Sequence, residues 1–261
     1  GSYSDGSLHY TQTSENVGDE KKFENVPEGT EVSFFARPAD GWKVKGWTLD
    51  GSPVSAYETY GISHITADTI VTVEFEKVTA VAGSNNFAWK LLKKAVEIAD
   101  DNATITIDGK IEASSGNSGE ILIDKTLTIK GKTGAGRDIL NANGLSRIFK
   151  VENGANLILE NLKLTGGKAT GTGDAGSGGA IYAKDASEIK IENCIITGNE
   201  AYKNGGGLNI EGTPTTITNC TFTGNTAKNG GGIYIIQGDR IPVVTISGGT
   251  IGGTGTGEAN K

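Results

Sequence analysis

The chain is 261 residues long, with 40 glycines, five prolines, two cysteines and no methionine. The formal charge of −7 (24 basic against 31 acidic side chains) argues against nucleic acid as a partner, because phosphate neutralisation needs a basic face. No apolar run approaches the ~18 residues of a membrane-spanning helix. Two cysteines make neither a disulfide scaffold nor a four-ligand zinc site. The opening Gly1-Ser2 reads as the remnant of a cleaved tag, and the absence of methionine reads as an internal segment of a longer protein.

Residues 1–79 read as a small β-domain. Val32, Phe34 and Ala36 share one face of a strand whose other face carries Glu31, Ser33 and Phe35. Val71, Val73 and Phe75 alternate in the same way with Thr72, Glu74 and Glu76. Between them, Gly41 to Trp47 enters a third strand, and Asp50-Gly51-Ser52-Pro53 is the next turn. The pattern VPEGTEVSFFARPADGWKVKGWTLDG followed by ITADTIVTVEFE resembles the internalin-type B-repeat (Listeria–Bacteroides repeat) over residues 8–77, most specifically at Gly46-Trp47 and Val73-Glu74-Phe75. That resemblance implies a β-grasp-like spacer without chemistry of its own. The two histidines, His9 and His64, both fall here and read as surface or sheet-edge residues.

After a linker near residues 79–86, Phe87, Leu91, Ala95 and Ile98, flanked by Ala88, Leu92 and Ala99, form an apolar stripe. Lys90, Lys93, Lys94 and Glu97 lie opposite, so a helix over 86–100 is expected, with Ser84, Asn85 or Asn86 as its cap.

From residue 100 onward the sequence repeats. Ile191-Glu192-Asn193-Cys194-Ile195-Ile196-Thr197-Gly198-Asn199 recurs as Ile217-Thr218-Asn219-Cys220-Thr221-Phe222-Thr223-Gly224-Asn225, with worn copies at Leu159 and Ile246. Interleaved with it are Gly179-Ala180-Ile181-Tyr182, Gly206-Gly207-Leu208-Asn209 and Gly231-Gly232-Ile233-Tyr234, with Ile148-Phe149-Lys150-Val151 as an earlier relative. A unit of two or more four-residue strands cannot bury its apolar face alone, but stacked units can. The expected fold is therefore mainly β: a right-handed parallel β-helix of five or six coils over residues 80–261, closed at its start by the helix as an N-terminal cap and preceded by the β-grasp-like domain. Its interior ladders would be Phe149–Ile181–Leu208–Ile233 and Ile129–Leu159–Ile191–Ile217–Ile246. Asn193/Asn219 and Asn199/Asn225 are placed at turns, and Cys194/Cys220 as stacked interior thiols too far apart for an unstrained disulfide. The stop at residues 252–260, where another Gly-Gly-Gly-Ile strand is due, leads us to expect further coils.

The paired Gly-Gly-Ala-Ile and Phe-x-x-Asn elements (Gly178 to Ile181; Phe222 to Asn225, with Ile196 to Asn199) resemble the polymorphic outer-membrane protein repeats, within the wider pectin-lyase-like group. Gly167 departs from the pattern in the earliest copy. The resemblance implies an adhesin-type protein, secreted or on a bacterial surface, that binds or displays a host protein or glycan without catalysis, cofactor or membrane insertion. The alternatives are a polysaccharide lyase of that group or a purely structural stalk. A hydrolase with clustered Asp and a nearby His is excluded by where the histidines lie. A lyase needs a basic residue beside calcium-holding carboxylates, and Glu160, Glu188, Lys190 and Glu192 instead alternate in sign like a solvated face. The outward row Lys150, Tyr182, Asn209 and Tyr234 is the candidate ligand-binding set, since tyrosines in a row stack on sugar rings or anchor a protein. Plain strand-forming aromatics half covered by loops are the competing reading. The insertion at 166–178 reads as a flexible glycine-rich excursion. No residue type or pattern sets the oligomeric state.

Overall fold

A computed structural model describes residues 2–4, 7–13, 28–39, 41–82, 87–252 and 260–261, with backbone alone for residues 2–4 and 7–13. The chain divides into two compact units, 1–78 and 79–261.

In the first unit, β1 (Ser2–Ser4), β2 (Ser7–Thr13), β3 (Glu31–Arg37) and β6 (Thr59–Ile62) form one sheet. A second sheet joins β4 (Trp42–Leu49), β5 (Ser52–Ser55) and β7 (Val71–Lys77). Asp50 and Gly51 both take positive φ (47° and 80°), the geometry of a tight two-residue hairpin, and so join β4 to β5. Trp47, Ala36 and Val44 are the buried centre, with Phe34, Tyr60 and Phe75 packed on them. The alternation read from Val32 to Ala36 holds, with Val32 and Ala36 buried and Glu31 and Arg37 exposed. His64 is exposed.

The second unit winds as a parallel β-helix. Its first face stacks β8 (Ala80–Ala82), β9 (Ala103–Asp108), β12 (Leu127–Gly131), β15 (Asn156–Glu160), β19 (Glu188–Glu192), β23 (Thr215–Thr218) and β27 (Val244–Ser247). The second face stacks β10 (Lys110–Glu112), β13 (Ile139–Asn141), β16 (Lys163–Thr165), β20 (Ile195–Thr197), β24 (Thr221–Thr223) and β28 (Thr250–Ile251). A short face of β17 (Lys168–Ala169), β21 (Glu200–Asn204) and β25 (Thr226–Asn229) follows in the later coils. The last face holds β11 (Ile121–Ile123), β14 (Phe149–Val151), β18 (Ile181–Lys184), β22 (Leu208–Glu211) and β26 (Ile233–Ile236).

Both expected ladders are in register. Ile129, Leu159, Ile191, Ile217 and Ile246 pair in succession, and so do Phe149, Ile181, Leu208 and Ile233. The first ladder also starts one coil earlier, at Ile105, and the second at Ile121. A third interior column, Ile111–Leu140–Leu164–Ile196–Phe222, belongs to the second face. It lay hidden because the corner at Asn193 splits one apparent strand into two.

The asparagines divide into two jobs. Asn161, Asn193 and Asn219 adopt left-handed backbone (φ 57°, 51° and 52°) at the corner between first and second faces. Asn199 and Asn225 instead point inward as a hydrogen-bonded ladder. Asn199 Nδ2 donates to Leu164 O at 3.1 Å, and Asn225 Nδ2 donates to Ile196 O at 2.8 Å. Asn260, in the stretch where a further coil is expected, takes the next rung: its Nδ2 donates to Phe222 O at 2.8 Å and its Oδ1 accepts the Asn225 N–H at 3.0 Å. Gly167 ends the ladder at the other side, where its N–H donates to Asn199 Oδ1 at 2.8 Å and an added Cβ would run into Gly179 O.

Glycine leads β18, β22 and β26 of the last face for a steric reason. Gly178, Gly205 and Gly230 have φ of 68°, 63° and 59°, and a Cβ there would drive into the carbonyls of Ile181, Leu208 and Ile233.

Helix α1 spans Ala88–Ile98 and lies against β8, β10 and β11. Its buried side chains are Ala88, Trp89, Leu92, Ala95 and Val96, so the buried stripe is rotated from the expected one; Phe87 is 71% exposed. Trp89 decides the rotation, with its indole fully buried and its Nε1 donating to Gly119 O at 2.9 Å. The proposed caps at 84–86 lie outside the described residues. Cys194 and Cys220 are buried free thiols on neighbouring coils. Hydrogen bonding to Cys220, together with burial, raises the pKa of the Cys194 thiol.

Candidate functional site

On the last face, the period-2 alternation of each strand turns Phe149 and Val151 inward and Lys150 outward, and the parallel register then stacks Lys150, Tyr182, Asn209 and Tyr234. The row therefore exists, but it is not an open one. Tyr182 and Asn209 are 1% and 2% exposed, whereas Lys150 and Tyr234 are half-buried. The two middle members are outward on their strands yet covered.

The cover over Tyr182 is chemical as well as steric. Arg147 lays its guanidinium over the Tyr182 ring, Cζ 4.9 Å from the centroid. Arg147 Nε pairs with Glu120 Oε2 at 3.0 Å, and Nη2 donates to the backbone O of Asp174 at 2.7 Å. Asp174 belongs to a 3-10 turn, Gly173–Gly176, inside the insertion. Its carboxylate takes Lys184 Nζ at 3.3 Å, and the Tyr182 hydroxyl donates to Glu211 Oε2 at 3.2 Å. Lys184 reaches Glu211 Oε1 at 3.2 Å, and Lys150 reaches Glu152 Oε2 at 2.6 Å. The glycine-rich insertion is thus tied down at Asp174 rather than a loose excursion.

Electrostatics follow from these contacts. Burial first, then the Asp174 and Glu211 carboxylates, push the Tyr182 phenol far above its ordinary pKa, so it is a neutral hydrogen-bond donor and no base. Burial depresses the Arg147 guanidinium pKa against the opposing pull of Glu120. For Asp174, burial alone would raise the carboxyl pKa, but the nearby Tyr182 hydroxyl and the Lys184 ammonium hold it below the ordinary value. Two polar atoms in this cluster, Arg147 Nη1 and Asn209 Oδ1, are buried without a partner among the described residues. The arrangement offers donors and acceptors side by side around an aromatic row, which suits a hydroxyl-rich ligand.

The partners Glu152, Lys184 and Glu211 were within reach of sequence reasoning. Each lies two residues beyond a row member, hence on the same outward side. Arg147 precedes its strand and Asp174 sits in the insertion, so no period points to either. The alternative set on the first face behaves as a solvated surface, where Lys190 Nζ pairs with Glu188 Oε2 at 2.9 Å, both side chains at least 40% exposed. Glu160 and Glu192 stand side by side in register. Among the described residues, no group of three His, Cys, Asp or Glu side chains is placed to hold a metal ion.

Residues 39–251, well over half of the chain, match the family described as right handed beta helix region. The chain belongs to this family. Its hand is therefore the expected one, and the right-handed β-helix places the candidate row on a single continuous face. The match begins inside the first unit, whose β4, β5 and β7 pair antiparallel, whereas the parallel coils of the right-handed β-helix start at β8 and β9. Among curated proteins and solved structures, nothing matches the chain.

Proposed function

We propose that this right-handed β-helix is a binding and display solenoid of a secreted or surface-attached bacterial protein, contacting a host glycan or protein through the face built on β14, β18, β22 and β26. One observation carries the reading. The cations of that face, Lys150, Lys184 and Arg147, are each engaged by carboxylates of the same face or its border, which leaves a recognition surface rather than an unpaired base beside acids. Hydroxyl-rich ligands are recognised by such mixed donors and acceptors with an aromatic platform, here the half-buried Tyr234.

The finer resemblance to polymorphic outer-membrane protein repeats is supported by where its motif residues fall. The Gly-Gly pairs lead β18, β22 and β26, Phe222 fills the interior, and Asn199 and Asn225 form the ladder. The helix α1 serves as an N-terminal cap in this reading, since Trp89 and Leu92 cover apolar interior that an open first coil would expose. The parallel pairing of β2 with β3 supports the β-grasp-like spacer.

A glycan array probed with the full chain tests the proposal, with Tyr234→Ala as the contrast. Binding that the variant loses at unchanged thermal stability supports it. Turnover of pectic or glycosaminoglycan polymers in the presence of Ca²⁺ would replace it with the lyase alternative, and silence in both assays would leave the stalk.

A further inference from the structure

The chain's two thiols lie at one position of successive coils. Backbone bonds from Ile195 N to Leu162 O, Thr221 N to Cys194 O and Thr250 N to Cys220 O put Leu162, Cys194, Cys220 and Gly249 in a single column, at the corner between first and second faces. Packing does not dictate cysteine there, because the coil before uses leucine and the coil after uses glycine. Both cysteines are nonetheless buried, at 1% and 2% exposure. Parallel stacking separates equivalent atoms by ~4.8 Å. A disulfide wants Cβ atoms ~3.8 Å apart, so the column keeps the sulfurs as thiols. The Cys194 N–H donates to Cys220 Sγ at 3.4 Å, so Cys220 turns its sulfur toward the coil of Cys194.

A gap too wide for an S–S bond suits a metal held between two sulfurs. Two metal–thiolate bonds of ~2.3 Å in line span ~4.6 Å, close to the coil spacing. We infer that Cys194 and Cys220 form a two-coordinate site for a soft, thiophilic divalent metal ion, for which Hg(II) is the probe. Binding breaks two S–H bonds, forms two S–metal bonds and releases two protons to solvent, with no change of oxidation state. The divalent ion is favoured because two thiolates then enclose a neutral centre, whereas Cu(I) would leave a net negative charge in the interior. Zinc is disfavoured because it takes four ligands, and among the described residues no group of three His, Cys, Asp or Glu side chains gathers to supply them. Loss of the thiol protons strands no acceptor. Of the three carbonyls they reach, Glu192 O also takes the Asn161 N–H and Thr218 O the Asn193 N–H, each at 3.0 Å, and Ile191 O sits within the paired strand β19. With no methionine and no third cysteine, the chain offers a soft ion no competing sulfur.

The test offers one equivalent of Hg(II), as its bis-glutathione complex, to the reduced full chain and follows it to equilibrium. One ion per chain with no glutathione retained by native mass, two sulfur neighbours by X-ray absorption and two protons released supports the site. Cys194→Ala and Cys220→Ala should each weaken binding by at least ~100-fold, since losing one of two ligands exceeds the ~10–100-fold effect of a changed outer partner. Adding Leu162→Cys to Cys220→Ala sets the pair one coil earlier and should restore the affinity. Circular dichroism checks that each variant is folded; where one is not, the sulfur count on the unsubstituted chain decides. A mixed complex that keeps one glutathione, or no transfer to a chain whose thiols are shown to be reduced, overturns the site. Recovery of Cys194 and Cys220 as a disulfide, read by mass with and without reductant, overturns the spacing on which it rests. Cu(I) bound as tightly as Hg(II) overturns the charge match.

Discussion

Asn225 is the side chain whose loss should reveal most about how the coils are held. It is fully buried, and its amide spends all four hydrogen-bonding positions along the stack. Oδ1 accepts the Asn199 N–H at 3.1 Å and Asn199 Nδ2 at 3.0 Å, while Nδ2 donates to Ile196 O at 2.8 Å and to Asn260 Oδ1 at 3.0 Å. Replacement by Ala strands one of these partners. Asn199 Nδ2 keeps Leu164 O and Thr197 O, Asn260 Oδ1 keeps the Asn225 N–H, and Ile196 O keeps its place in the β20–β24 ladder, but the Asn199 N–H loses the partner described here. At ~1–3 kcal/mol for a stranded buried group, Asn225→Ala should cost ~1–3 kcal/mol. For a unit of this size that is a fall of ~2–12 °C in the unfolding midpoint, read by circular dichroism on heating and checked by urea titration. Asn225→Asp is isosteric, yet it turns a donor into a charged acceptor facing Ile196 O and Asn260 Oδ1, so it should be at least as damaging at neutral pH. A loss below ~1 kcal/mol in both variants would refute the ladder as a structural spine.

The other expectations are narrower. Asn219 sits at φ 52° in a corner where its conformation, not its burial, matters, so Asn219→Ala should cost ~1–2 kcal/mol while Asn219→Gly changes chemical-denaturation midpoints little. Asp138 is fully buried; burial alone would raise its pKa, but N–H donors from Gly109, Thr133 and Gly134 and the Thr133 hydroxyl outweigh it and hold the carboxyl below its ordinary value. Because the folded pKa is depressed, its stabilisation is present above the unfolded value near ~3.9 and is lost as pH falls through the folded one. Asp138→Asn should therefore be less stable at neutral pH and show a flatter acid limb in pH-dependent melting. Cys194 and Cys220 should resist iodoacetamide at pH ~8 in the native protein and react fully in denaturant, because both are buried out of reach of the reagent and the Cys194 thiolate is disfavoured besides; rapid native labelling, counted by mass spectrometry, would contradict the interior placement.

How far these features were legible depends on what repeats. Ile191 and Ile217 announce the first face because every coil must place an apolar residue at one height, and parallel stacking makes that demand at a constant spacing. The second face was missed where Asn193 and Asn219 turn the chain two residues after Ile191 and Ile217, since a single left-handed asparagine makes a corner without the glycine and proline that mark a longer turn. Asn260 escaped notice for the opposite reason: it fills the ladder's next rung after a longer excursion than its predecessors, so spacing concealed what hydrogen bonding makes plain. The candidate row shows a further distinction. Alternation tells which side of a strand Lys150, Tyr182, Asn209 and Tyr234 occupy, but the side of a strand is a property of the sheet, whereas exposure is a property of whatever crosses it. Arg147 and Asp174 cross it, and each is unique among the coils. A solenoid's architecture can be read from what its coils share; its site has to be sought where one coil departs from the rest, and here that departure is the segment that carries Asp174.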